Sequence, residues 1–154
     1  MKVFISYGSA ADQVTALRLQ ALATVNGLTV YVPPAHTRQV SPTSLDPQTV
    51  VKIAESDVVL GVIGAGLTET CRHELNTSLG FHNTAIVMSH PQFEPQLRPF
   101  FGSNLIVIDP ANPDRAELDI VQSLKAVDVE QNTKKALLAL GTLALGLLIF
   151  APSK

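Results

Sequence analysis

Charge is scarce and scattered in this chain: Asp, Glu, Lys and Arg make up 16% of its 154 residues, the net charge is −2, and no basic run occurs. A nucleic-acid surface needs clustered Lys and Arg to displace counterions from phosphates, so DNA and RNA are excluded as expected partners. Cysteine is down to a single residue, Cys71. That excludes an internal disulfide, no Cys/His spacing matches a zinc site, and the composition fits a reducing cytosol. The start, Met1-Lys2-Val3-Phe4-Ile5, lacks the long apolar region and small-residue cleavage site of a secretory signal and runs directly into a strand pattern. Internal repeats and low-complexity tracts are missing too.

What the chain does have is apolar residues, 46% of the total, enough at this length for one full core and a single domain with an appendage. Short β-rich runs alternate with longer helical patterns, the signature of βα units around a parallel sheet. The expected strands are Lys2 to Ser6, Leu28 to Val32, Asp57 to Ile63, Thr84 to Ser89 and Asn104 to Ile108. Between them Val14, Leu17, Ala21 and Val25 recur at helical spacing, as do Leu67, Cys71, Leu75 and Leu79. A last helix follows Asn112-Pro113 and carries Leu118, Val121 and Leu124. Nearly continuous apolar strands require helices on both faces, which predicts a three-layer, flavodoxin-like α/β fold with a five-stranded parallel sheet. After the second strand, Pro33-Pro34 opens a stretch to Pro47 with no hydrophobic period, read as a long mobile loop placed to act as a lid. Phe93, Phe100 and Phe101 are read as apolar anchors in the loop after the fourth strand.

Composition changes after Val127. The expected division is a domain over 1–127, a polar and basic linker over 128–135, and an apolar tail over 136–151. The tail is roughly sixteen uncharged residues, about 24 Å as a helix against a hydrocarbon core of about 30 Å. Its apolar residues go all round the helix, which favours a membrane anchor over an amphipathic surface helix; burial in an oligomer is the other option. Lys134, Lys135 and Lys154 can snorkel, and Lys134-Lys135 on the domain side would hold the domain in the cytoplasm. The expected location is the cytoplasmic membrane, with the cytoplasm as the alternative. Gly141 and Gly146 are five apart, so no GxxxG pairing face is present.

In a parallel sheet, ligands sit beyond the C-terminal ends of the strands. Three segments should meet there: Ser6-Tyr7-Gly8-Ser9-Ala10-Ala11-Asp12 after strand one, the Pro-rich loop after strand two, and the helix Thr68-Glu69-Thr70-Cys71-Arg72-His73-Glu74-Leu75 after strand three. Glu74, on the first turns of that helix, is the leading catalytic candidate; a glutamate that merely faces solvent is the competing reading. Gly8 and Ser9 offer backbone N–H groups suited to a phosphate, without the spacing of a GxGxxG motif or a P-loop. Ser6 and Tyr7 are candidates to line an adenine or ribose pocket, against core packing for the tyrosine. Thr70 shares a helix face with Glu74. Asp12 suits a cap on the first helix, and Cys71 a buried structural thiol. The four histidines, His36, His73, His82 and His90, show no pairing and stay unassigned.

Val3-Phe4-Ile5-Ser6-Tyr7 with Asp12, then Glu55-Ser56-Asp57-Val58-Val59-Leu60, then Cys71-Arg72-His73-Glu74-Leu75 together resemble a bacterial TIR (Toll/interleukin-1 receptor) domain over about residues 1–127. The resemblance implies cleavage of the nicotinamide–ribose bond of NAD, with Glu74 at the catalytic position and NAD as substrate, not cofactor. It further implies that Pro33 to Asp46 corresponds to the BB loop, which gates the site and mediates self-assembly into a homo-oligomer. A role in antiphage defence follows, with a hydrolysed, cyclic or modified ADP-ribose product sensed by an effector protein. One departure is clear: many members place a Trp four residues before the glutamate, where this chain has Thr70 and no Trp anywhere.

The chemistry needs neither metal nor general acid. Loss of nicotinamide leaves an oxocarbenium-like ribose, which a carboxylate about 4 Å away stabilises by about 4 kcal/mol at an effective dielectric near 20, roughly a thousandfold in rate. Two other functions fit the same residues. One is a non-catalytic TIR scaffold that works by self-assembly. The other is a nucleoside deoxyribosyltransferase-like enzyme with Glu74 as nucleophile against a ribosyl carbon.

Overall fold

Val58-Val59-Leu60-Gly61-Val62-Ile63 is buried at every position, as a strand must be when helices cover both faces of its sheet. The computed structural model of the chain describes residues 1–39, 45–81 and 83–139. Its strands are β1 (Lys2–Tyr7), β2 (Thr29–Tyr31), β3 (Val58–Ile63), β4 (Thr84–Ser89) and β5 (Leu105–Val107). All pair in parallel, in the order β2-β1-β3-β4-β5. This is the flavodoxin-like order, so the expected fold class holds, and its switch point lies between β1 and β3. The helices are α1 (Ala10–Val25), α2 (Pro47–Glu55), α3 (Glu69–Gly80), α4 (Glu94–Phe101) and α5 (Pro113–Ala139).

The two-residue period of a strand divides the core in two. Val3, Ile5 and Tyr7 of β1, with Val58, Leu60 and Val62 of β3, pack against Ala16, Leu19 and Ala23 of α1 and Ile120 and Leu124 of α5. Phe4, Val59 and Ile63 face the other way, onto Ile53 of α2, Leu75 of α3 and Leu97 of α4. Ser6 shares the parity of Phe4, so its side chain belongs to the α3 side. There it pairs in register with Gly61, where an added Cβ would stand 3.3 Å from Leu75 Cδ2. Two small residues side by side let α3 lie close against the strands.

The helix face predicted for the first helix is corrected. α1 spans the expected residues, but Val14, Leu17 and Val25 are 56%, 47% and 86% exposed, and Ala21 is exposed too. The buried face is Asp12, Ala16, Leu19 and Ala23. Apolar residues lie on both sides of this helix, and the smaller alanines permit the closer approach to the sheet. Likewise Leu118 of α5 is exposed, while Ala116, Ile120, Val121 and Leu124 are buried. On α3, Cys71 and Leu75 are buried as expected, whereas Leu79 is exposed.

Two helices have no counterpart in the sequence pattern. α2 is short and starts at Pro47, suited by its fixed φ to a first helical position. α4, Glu94–Phe101, replaces the loop expected there; Pro95 lies in its first turn and Pro99 near its end. It buries Leu97, packs Phe93 and Phe101 against the second core, and leaves Phe100 exposed. Of the stretch read as a mobile loop, Ala35–Gln39 forms a 3-10 turn, and residues 40–44 lie outside the described residues, as does His82. The polar stretch 128–133 continues α5 as helix. Residues 140–151 of the predicted tail lie outside the described residues, and among the described ones no helix is long and apolar enough to cross a membrane.

Candidate functional site

The candidate site lies at the C-terminal ends of β1 and β3, on the α3 side of the sheet. Thr68 caps α3, its Oγ1 accepting from the Cys71 N–H, which fixes where the helix starts. Side chains on a helix lean back toward its N-terminus, so Glu74 on the second turn points at the strand ends. It is fully buried. The Ser6 hydroxyl donates to its Oε1 at 2.7 Å across 68 positions of sequence.

Arg38, in the 3-10 turn after β2, completes the site, and nothing in the sequence pattern singles it out. Nη1 donates to Glu74 Oε1 at 2.7 Å and Nη2 to Oε2 at 2.6 Å. The same guanidinium donates from Nη1 to the Tyr7 carbonyl at 2.9 Å and from Nε to Thr37 Oγ1 at 3.1 Å. It also lies over the Tyr7 ring, 5.1 Å from its centre, a cation–π contact. The Arg38 side chain is 5% exposed. Burial works against its charge, but the hydrogen bonds and negative charge of Glu74 outweigh that and hold its pKa above the usual arginine value. Removing one member of such a buried pair costs about 3–5 kcal/mol, because the other charge is left unpaired in a dry site. A signal for Arg38 existed only in retrospect: it is the cation of a Pro-bounded segment whose neighbours are His36 and Thr37.

Tyr7 is core, its hydroxyl donating to the Pro33 carbonyl at 2.6 Å and tying the second-strand segment to β1. Burial raises its pKa, with the Arg38 charge opposing. Thr70 Oγ1 stands 3.5 Å from the Arg38 carbonyl oxygen. Gly8 is pressed against α3: a Cβ there would fall 2.2 Å from Thr68 Oγ1, so only glycine lets the two segments meet. Ser9 caps α1, its Oγ accepting from the Asp12 N–H at 3.1 Å. The structure therefore brings Ser6, the Tyr7 carbonyl, Thr70 and Glu74 together around Arg38, while the Ser9 side chain serves α1.

Asp12 does not cap α1, as expected of it; Ser9 does. The Asp12 carboxylate instead accepts from the Ala65 N–H at 3.0 and 3.1 Å, linking α1 to the bend after β3. Its pKa is raised, burial outweighing the hydrogen bonds from Ala65, Ser9, Gly64 and Gly66. Cys71 is a free, buried thiol pushed up to about 11 by burial, a structural residue as expected. His90 Nδ1 accepts from the Gln92 N–H beyond β4. Among the described residues no group of three or more His, Cys, Asp or Glu could hold a metal.

No protein-family model matches the sequence, and no curated protein matches it significantly. Solved structures do share its fold. A Clostridium botulinum CMP N-glycosidase superposes with a TM-score of 0.53 at 15% identity, over 81% of this chain and 98% of its own. A candidate quinone reductase from Klebsiella pneumoniae gives 0.53 at 10% identity, over 82% of this chain and 85% of its own. The TIR domains of the activated Roq1 resistosome give 0.48 at 14% identity, over 88% of this chain and 76% of that one. The first two have the same TM-score and are named for different activities, so the likeness is one of fold.

Proposed function

We propose that this chain cleaves an N-glycosidic bond of a ribosyl nucleotide, with Glu74 as the catalytic carboxylate and NAD as the substrate. The observation that carries the reading is a fully buried glutamate at the β1/β3 switch point, oriented by the Ser6 hydroxyl at 2.7 Å. In the proposed reaction the bond from ribose C1′ to the pyridinium nitrogen breaks with its electron pair going to nitrogen, and nicotinamide leaves neutral. The cation left on the ribose is stabilised by Glu74. Water then adds to C1′ and releases a proton, or a hydroxyl or ring nitrogen of the same molecule adds and closes a cycle.

Two things support the reading. The fold is one on which N-glycosidase chemistry occurs, since the Clostridium botulinum enzyme shares it. The resemblance of Ser6-Tyr7 and Cys71-Arg72-His73-Glu74-Leu75 to TIR sequences favours NAD over CMP. Self-assembly, a product-sensing effector and placement at the cytoplasmic membrane through residues 136–151 belong to the same proposal. The last rests on the composition of the tail alone.

The test is mass-spectrometric product analysis of the full chain at high concentration with NAD, and separately with CMP, beside Glu74→Gln. Nicotinamide plus an ADP-ribose species from the unaltered chain only is the expected result, the mass separating hydrolysis from cyclisation. Intact NAD with cleaved CMP would change the substrate; both intact would sink the reading. A second reading is favoured by one observation: among the described residues, the side-chain hydrogen bonds of Glu74 go to Arg38 and Ser6. In that reading the pair is a permanent strut, and the domain is a non-catalytic assembly module.

A further inference from the structure

The reading of Glu74 as catalytic leaves Arg38 to be explained. Both carboxylate oxygens accept from the guanidinium at 2.6 and 2.7 Å, and neither side chain has appreciable exposure. A sugar cannot bring its C1′ to Glu74 while this pair is closed. Opening it without compensation strands two charges in a dry site, the costly situation described above.

The compensation must therefore come from the incoming molecule, and in two parts. Glu74 accepts a positively charged or charge-developing ribose; Arg38 needs an anion. The guanidinium fork that matches a carboxylate with two parallel N–H···O bonds matches a phosphate equally well. A ribosyl phosphate supplies both charges. A neutral or phosphate-free nucleoside supplies at most one.

We infer that Arg38 is the specificity-determining residue of this site: it exchanges Glu74 for a phosphate of the substrate, so that phosphate-bearing ribosides uncover the glutamate and phosphate-free ones do not. This rests on the glutamate-centred reading given above and deepens it. The hydrogen bonds to the Tyr7 carbonyl and to Thr37 Oγ1 hold the guanidinium beside the end of β1 during the exchange. An exchange of partners by one side chain requires no rearrangement of the sheet.

Nicotinamide mononucleotide and nicotinamide riboside share the scissile bond and differ by one 5′-phosphate. Their binding to the full chain is measured by calorimetry, and cleavage is followed in the same samples. The unaltered protein is expected to bind the mononucleotide at least about tenfold more tightly than the riboside, and Arg38→Gln to reduce that ratio to about twofold or less. Glu74→Gln removes the competing charge from Arg38, and the attraction to the cationic ribose of both ligands alike, so it is expected to raise the ratio further. Melting temperatures establish that each variant is folded. Should Arg38→Gln not fold, Arg38→Lys decides, since a point charge without the planar fork lowers the ratio too. Equal affinity for the two ligands in the unaltered protein, or an unchanged ratio in the folded Arg38 variant, overturns the inference. Cleavage with a ratio indifferent to Arg38 keeps the glycosidase reading and removes the role of Arg38. An Arg38-dependent ratio without cleavage does the reverse.

Discussion

Arg38 and Glu74 neutralise one another inside the protein, Nη2 2.6 Å from Oε2 and Nη1 2.7 Å from Oε1, across 36 positions of sequence. The pairing changes what a glutamate variant reports. A glutamate that merely faces solvent can be truncated without harm; one that neutralises a buried arginine cannot. Glu74→Ala is expected to lower stability by about 3–5 kcal/mol in urea unfolding, and Glu74→Gln, which keeps an acceptor for Arg38 and Ser6, by less. A loss below about 1 kcal/mol for Glu74→Ala would mean that the pair is solvated. Activity is therefore judged on Glu74→Gln, for which roughly a thousandfold loss in turnover is expected.

Asp12 gives a pH signature. Its carboxyl is raised above the ordinary aspartate value, chiefly by burial. A carboxyl raised on folding holds its proton more tightly in the native state. Its contribution to stability is therefore full below the ordinary value and is lost as pH rises through the folded value. Asp12→Asn, whose amide oxygen can still accept from Ala65, has no such loss. Relative to the unaltered protein it should gain stability across that window and then level off, measured by urea unfolding at about pH 3, 5 and 7. A difference that does not change with pH contradicts the assignment.

The close approach of Gly8 to Thr68 is testable by a double-mutant cycle. Gly8→Ala puts a methyl group 2.2 Å from Thr68 Oγ1 and should cost about 1–3 kcal/mol while disturbing the start of α3. Thr68→Gly keeps an acceptable cap residue and opens the space, so the double variant should recover part of the loss. Strict additivity would show that the two segments do not press on each other.

Cys71, buried and pushed up to about 11, should react with iodoacetamide only when the protein unfolds. Intact-mass measurement at neutral pH checks this. Labelling of the native protein as fast as that of a free thiol would place Cys71 at the surface.

Deletion of Ala136 to Lys154 is expected to release the protein from membranes, on the charge-free length of the tail. Pelleting with membranes to the same extent before and after deletion would rule out the anchor.

The sheet was legible in the sequence because its cause is local. A strand covered on both faces must be apolar at consecutive positions, and Val58 to Ile63 and Ala85 to Met88 are. Helix faces were less legible, for a reason visible in α1. A period of 3.6 identifies a helix but cannot choose between a face with Val14, Leu17 and Val25 and one with Ala16, Leu19 and Ala23 when both are apolar. The choice depends on which face fits closest to the strands, a property of the sheet and not of the helix. α4 was hidden because prolines at positions 95 and 99 suit a loop equally well.

The sequence by itself determined the order of the strands, the parallel sheet and the placement of Glu74 one helix start beyond β3, because each follows from short-range pattern and chain direction. Only the tertiary structure decided that Glu74 is buried, that Ser6 reaches it from β1, and that Arg38 closes over it. Those contacts join residues 68 and 36 positions apart. No periodicity records them: a charge buried by folding is compensated by whichever opposite charge the fold brings within reach.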